Sequence, residues 1–300
     1  DQYREVRKLT QSSQGECSLL KSKTTGNVYV LKRSTSLPLD IDANGWPREA
    51  RMLVHELKPH PNIIYCFDAK FGRGYRCDLY LEYCSGGDLH DQLTFWMTRR
   101  QIPPTEVVLH VFVQLSRALA YIHHGLRYDG HLWLADTDHK PIIHGDLKPE
   151  NVFLRWSKRN HLGLPDVVLG DFGLSKTAAE SRGGYGTEGW EPPEMVALRD
   201  LYHTDPEAHS KASKEKVMST ASDMYSLGMI MYFMASQYYQ RWSTGRAGED
   251  MQLAAVFVAN GLGSIISRLL QSQSVDRASA NFDARTGYLH ALKDLAKERD

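Results

Sequence analysis

The first 84 residues alternate apolar and polar positions in short runs. LTQSSQGECSLLKS from Leu9, NVYVLKR, NIIYCFDAKF and CDLYLEYC are rich in β-branched and aromatic residues and are punctuated by Gly, Asn or Asp, a pattern that predicts strands. One stretch departs from it. In WPREARMLVHEL, Ala50, Leu53, Val54 and Leu57 form a single stripe at helical spacing, and Pro59 and Pro61 stop the predicted helix. After SGGDL at 85–89 the period changes. TEVVLHVFVQLSRALAYIHH keeps a helical repeat, with Thr105 the expected N-cap. ASDMYSLGMIMYFMAS is apolar all round, as a helix in the middle of a core would be. The pattern predicts an α+β chain: a small strand-rich lobe with one helix over 1–84, a glycine-containing hinge near 84–87, and a large, mainly helical lobe over 85–300. Two polar stretches, 127–140 and 198–220, read as surface insertions, the second as a flexible loop. No internal repeat is discernible.

Composition narrows the picture. A chain of 300 residues with 42% apolar and 24% charged residues is an ordinary folded protein, large enough for one core or two lobes. Its 36 basic and 36 acidic residues cancel, so neither nucleic acid nor a membrane surface is expected as a partner. Cys17, Cys66, Cys77 and Cys84 form no CxxC pair, which suits a reducing compartment, cytoplasmic or nuclear, and argues against zinc. The run Leu227 to Ala235 is about half the length of a membrane span. The chain opens on Asp1, so it is expected to be a piece of something longer.

The candidate chemistry lies in HGDLKPEN, His144 to Asn151. Transfer of the terminal phosphoryl of ATP needs metal ions held by carboxylates and an amide, a cation on the phosphates, and a base that orients the attacking hydroxyl. Asp146 is the candidate base and Lys148 a cation beside the transferred group. Asn151 and Asp171, at the end of DVVLGDFG, are the candidate metal ligands. Lys32 in YVLKR can reach the phosphates, and Glu49 on the amphipathic helix can hold it. Alone, each of these residues could equally be a loop acid or a solvated lysine, and HGD alone fits three readings: a protein kinase, a kinase of small molecules, or a fold that has lost its chemistry.

The ordered set closes most of that gap. With HPNII at 60–64, LEYCSGGDL at 81–89, GTEGWEPPE at 186–194, SDMYSLG at 222–228 and DRASA at 276–280, the chain resembles the protein kinase family along nearly its whole length. LKPENVFL and VLGDFGLSK are most similar to the NEK-type and related fungal serine/threonine kinases. The resemblance implies the bilobal kinase fold in one catalytic domain, ATP with Mg2+ or Mn2+ as cofactors, and a protein substrate with a Ser or Thr acceptor; it leaves the oligomeric state open. It places Gly15, Cys17, Val30, Lys32, Glu49, Glu82, Cys84, Asp88, Leu89 and Phe153 around the nucleotide, with Leu81 at the back of the adenine pocket. Leu53, Cys66, His144 and Phe172 would stack as a column anchored by Asp223, and Glu194 would pair with Arg277. Lys148 with Thr187 is similar to the serine/threonine-specific branch, and Leu174 leans toward serine. Asp88 and Glu150 stand where relatives read basic residues before the acceptor.

Two departures stand out. TQSSQG, Thr10 to Gly15, keeps only the last glycine of the family's phosphate loop, which is expected to weaken nucleotide affinity without abolishing it. Gly145 replaces the arginine that normally receives an activation-loop phosphate. Thr177, Ser181 and Tyr185 remain candidates for modification, but activity is expected not to need such a phosphate. The alternatives are a pseudokinase scaffold with weak nucleotide binding, motivated by the phosphate loop, and a small-molecule kinase of the aminoglycoside or choline type, motivated by HGD. DFG, GTEGWEPPE and SDMYSLG favour the protein kinase side.

Overall fold

The structure, a computed structural model, describes residues 2–12, 15–35, 41–42, 45–72, 76–157, 163–182, 186–215, 217–236, 261–283 and 285–299. The N-terminal lobe is a five-stranded antiparallel sheet of β1 (Tyr3–Ser12), β2 (Gly15–Ser22), β3 (Val28–Thr35), β4 (Cys66–Phe71) and β5 (Arg76–Glu82), in the order β1-β2-β3-β5-β4. The first predicted strand is in fact two, and β1 starts six residues before Leu9. Charged residues at Arg4, Glu5, Arg7 and Lys8 mask that start, because β1 is an edge strand with little buried surface. Register sets the faces: Cys17 lies opposite Lys32, Leu19 opposite Val30, and Val30 opposite Leu81.

Helix α1 runs Arg48–Arg51 and continues as a π turn over Met52–Glu56, in which the Leu57 N–H donates to Met52 O at 2.9 Å. The wider turn re-aims the side chains. Ala50, Leu53 and Leu57 of the expected stripe are buried, but Val54 is turned out to 42% exposure, and Met52 is fully buried in its place. From there the chain touches the large lobe before it returns to β4. Ile64 N–H donates to Leu169 O at 2.8 Å and Leu169 N–H to Asn62 O at 2.9 Å, so HPNII ties the small lobe to the strand that precedes DFG.

The large lobe is mainly helical. Helix α2 (Leu89–Thr98) is followed by α3 (Thr105–His124) and, further on, α4 (Pro193–Thr204), α5 (Pro206–Ala212) and α6 (Thr220–Ala235). The helices Leu262–Leu269 and Leu289–Arg299 complete the described part. Thr105 is the first helical residue, not the cap; Pro104 precedes it and its carbonyl accepts from Val107 and Val108. By length and composition α3 could cross a membrane, but 78% of its most apolar window is buried inside the protein, where it packs against α6 and the last helix. Helix α6 is buried on nearly every side, as its uniform apolarity predicts, and starts at a capping box between Ser219 and Ser222.

The stretch 198–220 is not a loop. Helix α4 covers its first part and α5 the next, started by Pro206 and by Asp205 accepting from the Ala208 N–H at 3.0 Å. Neither helix carries a long apolar stripe, since both lie on the surface, and the polar sequence therefore read as unstructured. The stretch 127–140 is largely a surface hairpin, β6 (Leu126–Tyr128) with β7 (Trp133–Ala135). Three short strand segments frame the site: β8 (Ile142–Ile143), β9 (Val152–Arg155) and β10 (Asp166–Leu169). β9 pairs with β10, and β8 pairs with β11 (Lys176–Thr177).

Candidate active site

The catalytic loop connects β8 to β9, and its backbone hangs on Asp223 of α6. The His144 N–H donates to Asp223 Oδ2 at 2.8 Å and the Gly145 N–H to Oδ1 at 2.9 Å; His123 braces the same carboxylate at 2.8 Å. All three side chains, His123, His144 and Asp223, are buried. His144 accepts the Asp146 N–H on Nδ1, which leaves Nε2 to donate to Gly170 O at 2.9 Å. Its ring meets Phe172 edge-on, with 4.9 Å between centroids, and Phe172 and Leu53 are both buried. Of the expected column, His144 joins Phe172 to Asp223, and Leu53 and Cys66 belong to the same core.

Asp146 is held from three sides. Oδ1 accepts the Thr187 hydroxyl at 2.7 Å, and Oδ2 accepts Lys148 at 2.9 Å and the Asn151 amide at 3.1 Å. Lys148 also donates to Thr187 Oγ1 at 2.6 Å, closing a triangle. The acid and the lysine were legible as candidates; Thr187 was read only for its branch of the family, though the GT before Trp190 was the available signal. The Asn151 Nδ2 donates to Asp146 O as well, at 2.7 Å, so its Oδ1 faces away from these contacts.

Across the cleft, Lys32 of β3 reaches Glu49 of α1 at 2.9 and 2.8 Å and Asp171 Oδ1 at 2.7 Å. Burial works against the Lys32 charge, but the attraction of Glu49 and Asp171 outweighs it and raises its pKa. Asp171 is only partly buried, and against the desolvation it does suffer Lys32 holds it below the usual carboxylate range. Glu49 is raised, by burial first, with Lys32 opposing. Asp171 adopts φ 59°, one of two positive values outside glycine among the described residues. Backbone in that region is costly for an ordinary side chain and gathers at functional sites. Asp171 Oδ2 and Asn151 Oδ1 accept no hydrogen bond from any described residue, so each keeps an oxygen for a divalent cation. The donor set, all hard oxygen, fits magnesium or manganese. Asp88, His90 and Asp91 also bring ligand atoms within 4.8 Å of one another, but this group is built into the first turn of α2.

The residues expected around a nucleotide differ in burial. Leu81 and Leu89 are buried, Val30 and Phe153 partly so, and Phe153 packs so closely on Gly170 that a Cβ there would lie 2.7 Å from its ring. Glu82 is tied at both ends: its carboxylate accepts the Tyr65 N–H at 2.9 Å and Arg155 at 2.7 Å, and its own N–H donates to Tyr65 O at 2.9 Å. Asp88 Oδ1 accepts the Asp91 N–H at 2.9 Å as the cap of α2. Burial pushes the Cys84 thiol up to about 12 and Cys66 up to about 11, so both stay protonated at neutral pH. Gly15 serves a second purpose. Its φ is 145° and a Cβ would sit 2.2 Å from Arg33 O, so no other residue fits between β2 and β3.

Gly145 sits at φ 79° with Met218 folded over it, 3.1 Å from where a Cβ would be. The place of the missing arginine is thus closed by an apolar side chain, itself buried with Ile143 and Met195. Two expected modification sites are buried too. Thr177 donates to Glu180 at 2.9 Å and Ser181 to Met218 O at 2.7 Å. Tyr185 lies outside the described residues. Below the activation segment, Arg277 forks onto both oxygens of Glu194 at 2.6 Å, as expected.

Two lobes closing on a lysine–glutamate pair, two metal-competent oxygens and an acid–lysine–threonine triangle define a kinase, a phosphotransferase built on positioning and charge. The chain belongs to the protein kinase domain family, which it matches over residues 3–281, and it is of the serine/threonine type. It is 29% identical over 294 residues to the serine/threonine-protein kinase Nek2 of Mus musculus, covering 93% of this chain and 58% of that protein. To a probable serine/threonine-protein kinase nek2 of Dictyostelium discoideum it is 29% identical over 245 residues, 79% of this chain and 49% of the relative. A calcium and calcium/calmodulin-dependent serine/threonine-protein kinase of Lilium longiflorum is 32% identical over 187 residues, 62% and 28% of the two chains. The chain therefore spans about half the length of these two Nek2 relatives.

Proposed function

We propose that this chain is one catalytic domain that transfers the terminal phosphoryl of ATP to a serine or threonine hydroxyl of a protein, without an activation-loop phosphate paired to the catalytic loop. The observation that carries the reading is the Asp146–Lys148–Thr187 triangle, with every bond between 2.6 and 2.9 Å. Asp146 orients the acceptor hydroxyl and takes its hydrogen bond, while Lys148 offers charge to the oxygens of the group in flight. Lys32, fixed by Glu49, binds the nucleotide phosphates. Asn151 and Asp171 would hold a divalent cation, which when bound offsets charge on the phosphate oxygens. Asp88 and the exposed Glu150 favour a basic protein segment as substrate. Four cysteines that form no disulfide suit a reducing compartment, cytoplasmic or nuclear.

A peptide-library phosphorylation assay with magnesium or manganese tests this. Transfer to Ser/Thr peptides enriched in Lys and Arg is expected, falling at least roughly 100-fold in Asp146→Ala, the size of a lost general base. A folded sample that transfers nothing under either metal would leave the pseudokinase scaffold. Preference for amino sugars or choline would point to a small-molecule kinase instead.

A further inference from the structure

We propose that Glu180 is a positioning residue for phosphoryl transfer: it ties the activation segment to α1 through Arg51 and so holds Glu49 against Lys32. This rests on the kinase reading above and adds to it the device that takes the place of an activating phosphate. The bond is a fork meeting a fork, with Arg51 Nη1 and Nη2 each 2.7 Å from one oxygen of Glu180. That planar, charge-assisted pairing is the same one an arginine makes with a phosphate.

Helix α1 needs such a tie. It has four α-helical residues followed by a five-residue π turn, too short to hold itself in place, so its position depends on what it is attached to. Glu49 and Arg51 are two residues apart on it. Glu49 looks to Lys32; Arg51 looks to the activation segment. The segment is itself anchored close to the catalytic loop: Thr177 pairs with Ile142 in β11 and β8, the Ala178 N–H donates to Pro141 O at 2.7 Å, and the Thr177 hydroxyl holds Glu180 Oε2 at 2.9 Å. A continuous path of bonds thus runs from the strand that leads into Asp146 to the helix that positions Lys32.

The arrangement leaves no role for a phosphate at the same place. Gly145 offers no cation, and Met218 covers it. Lys176 donates to Arg182 O, and Arg182 donates to Ala179 O and Ser181 O, so the cations of the segment are turned onto its own backbone. A phosphate on Thr177 would stand beside the Glu180 carboxylate and part it from Arg51.

The test combines phosphatase-treated protein, steady-state kinetics and hydrogen exchange of the peptide spanning 48–56. In Glu180→Gln, exchange of that peptide should quicken and kcat fall roughly tenfold, the population shift that one lost bidentate pair produces, with peptide KM and the melting midpoint unchanged. Arg51→Glu should do the same or worse. The exchanged pair, Arg51→Glu with Glu180→Arg, should bring both readouts back to within roughly threefold of wild type. Unchanged exchange and kcat in Glu180→Gln, or a double variant no better than Arg51→Glu alone, would overturn the proposal. If the wild type transfers no phosphoryl at all, the kinase reading fails while the exchange arm still decides whether Glu180 holds α1.

Discussion

The catalytic loop and the β1–β2 hairpin belong to opposite lobes of one cleft, and they differ in how completely they are furnished. In the loop, Asp146, Lys148 and Asn151 each have at least two bonds that fix their direction, and Asp223 holds the backbone beneath them. In the hairpin, the sequence from Thr10 to Gly15 retains one glycine, and that one is already required by the Arg33 carbonyl beside it. The groups that act on the transferred phosphoryl and the backbone that admits the rest of the nucleotide are therefore separable. The first set is intact and the second reduced, so the expected signature is a working kcat with a weakened ATP KM, not an absence of both.

The sharpest way to break this comparison is to remove a group from the intact side. Asp171→Asn keeps the shape of the side chain, and an amide can still face Lys32, but it takes a charge away from the metal-competent oxygens. Phosphoryl transfer is expected to fall by roughly 10²–10⁴ while the protein stays folded, the range seen when a positioned charged group is lost. Single-turnover kinetics at saturating ATP would check it. A variant with unchanged kcat and only a raised KM would mean that the intact side acts in binding alone.

Next in size is the joint between the two regions. His60, in the segment that ties the small lobe to the large one, stacks flat on Tyr121 with 5.0 Å between ring centroids and accepts the Asn62 N–H on Nδ1. Burial, helped by Arg127 and Arg117, pushes its pKa down to about 3. A histidine depressed on folding binds its proton in the unfolded chain first, so stability is full above its ordinary pKa of about 6.5 and declines as pH falls toward the folded value. The loss from His60 is about 2 kcal/mol at pH 5. Denaturant midpoints at pH 7 and pH 5 should converge in His60→Asn, whose Oδ1 can still accept the Asn62 N–H. An equal acid shift in wild type and variant would show that the joint titrates elsewhere.

Gly145 is the position where a residue missing from the intact side can be tested. Its φ of 79° lies in the left-handed region, and Gly145→Ala is expected to cost roughly 1–2 kcal/mol for that conformation, with Met218 pressing at 3.1 Å as an added penalty. Thermal melts would measure it. A neutral or stabilising alanine would mean that the loop relaxes easily, and that Met218 does not seal the place of the absent arginine.

What the sequence made legible follows the same division. The two-lobe order follows from the change of hydrophobic period and the Lys32–Glu49 pair from a strand lysine and a helix acid, while the column through His144 and Phe172 and the Glu194–Arg277 pair are implied by the resemblance to the protein kinase family. Other features could not be placed. The π turn that exposes Val54 and buries Met52 depends on how α1 packs against both lobes, which no stripe of apolar positions encodes. The stretch 198–220 carries no helical signal because, of its residues in α4 and α5, only Leu198 is buried. Arg51 and Glu180 are 129 residues apart and look like ordinary surface charges until the activation segment is folded. Met218 reads as one more apolar residue at the edge of a helix; only its contact with Gly145 shows that the glycine and the methionine form one feature.

The smallest expected effect concerns the reduced side, and it sharpens the comparison most directly. If the hairpin's weakness is only the loss of two glycines, restoring them in Thr10→Gly/Ser12→Gly should let backbone N–H groups approach the phosphates and lower the ATP KM, by roughly threefold. The gain is modest for a physical reason. Glycine in a strand costs roughly 0.5–1 kcal/mol in backbone entropy relative to alanine, and β1 extends as far as Ser12, so part of the improvement in contact is offset by a looser hairpin. Meanwhile kcat should not move, since Lys32 remains held by Glu49 and Asp171 whatever the hairpin does. Steady-state kinetics over a range of ATP concentrations separates the two constants. A rise in kcat with the restored glycines would join the two regions again, because it would mean that the hairpin positions the phosphoryl group being transferred as well as the nucleotide that carries it.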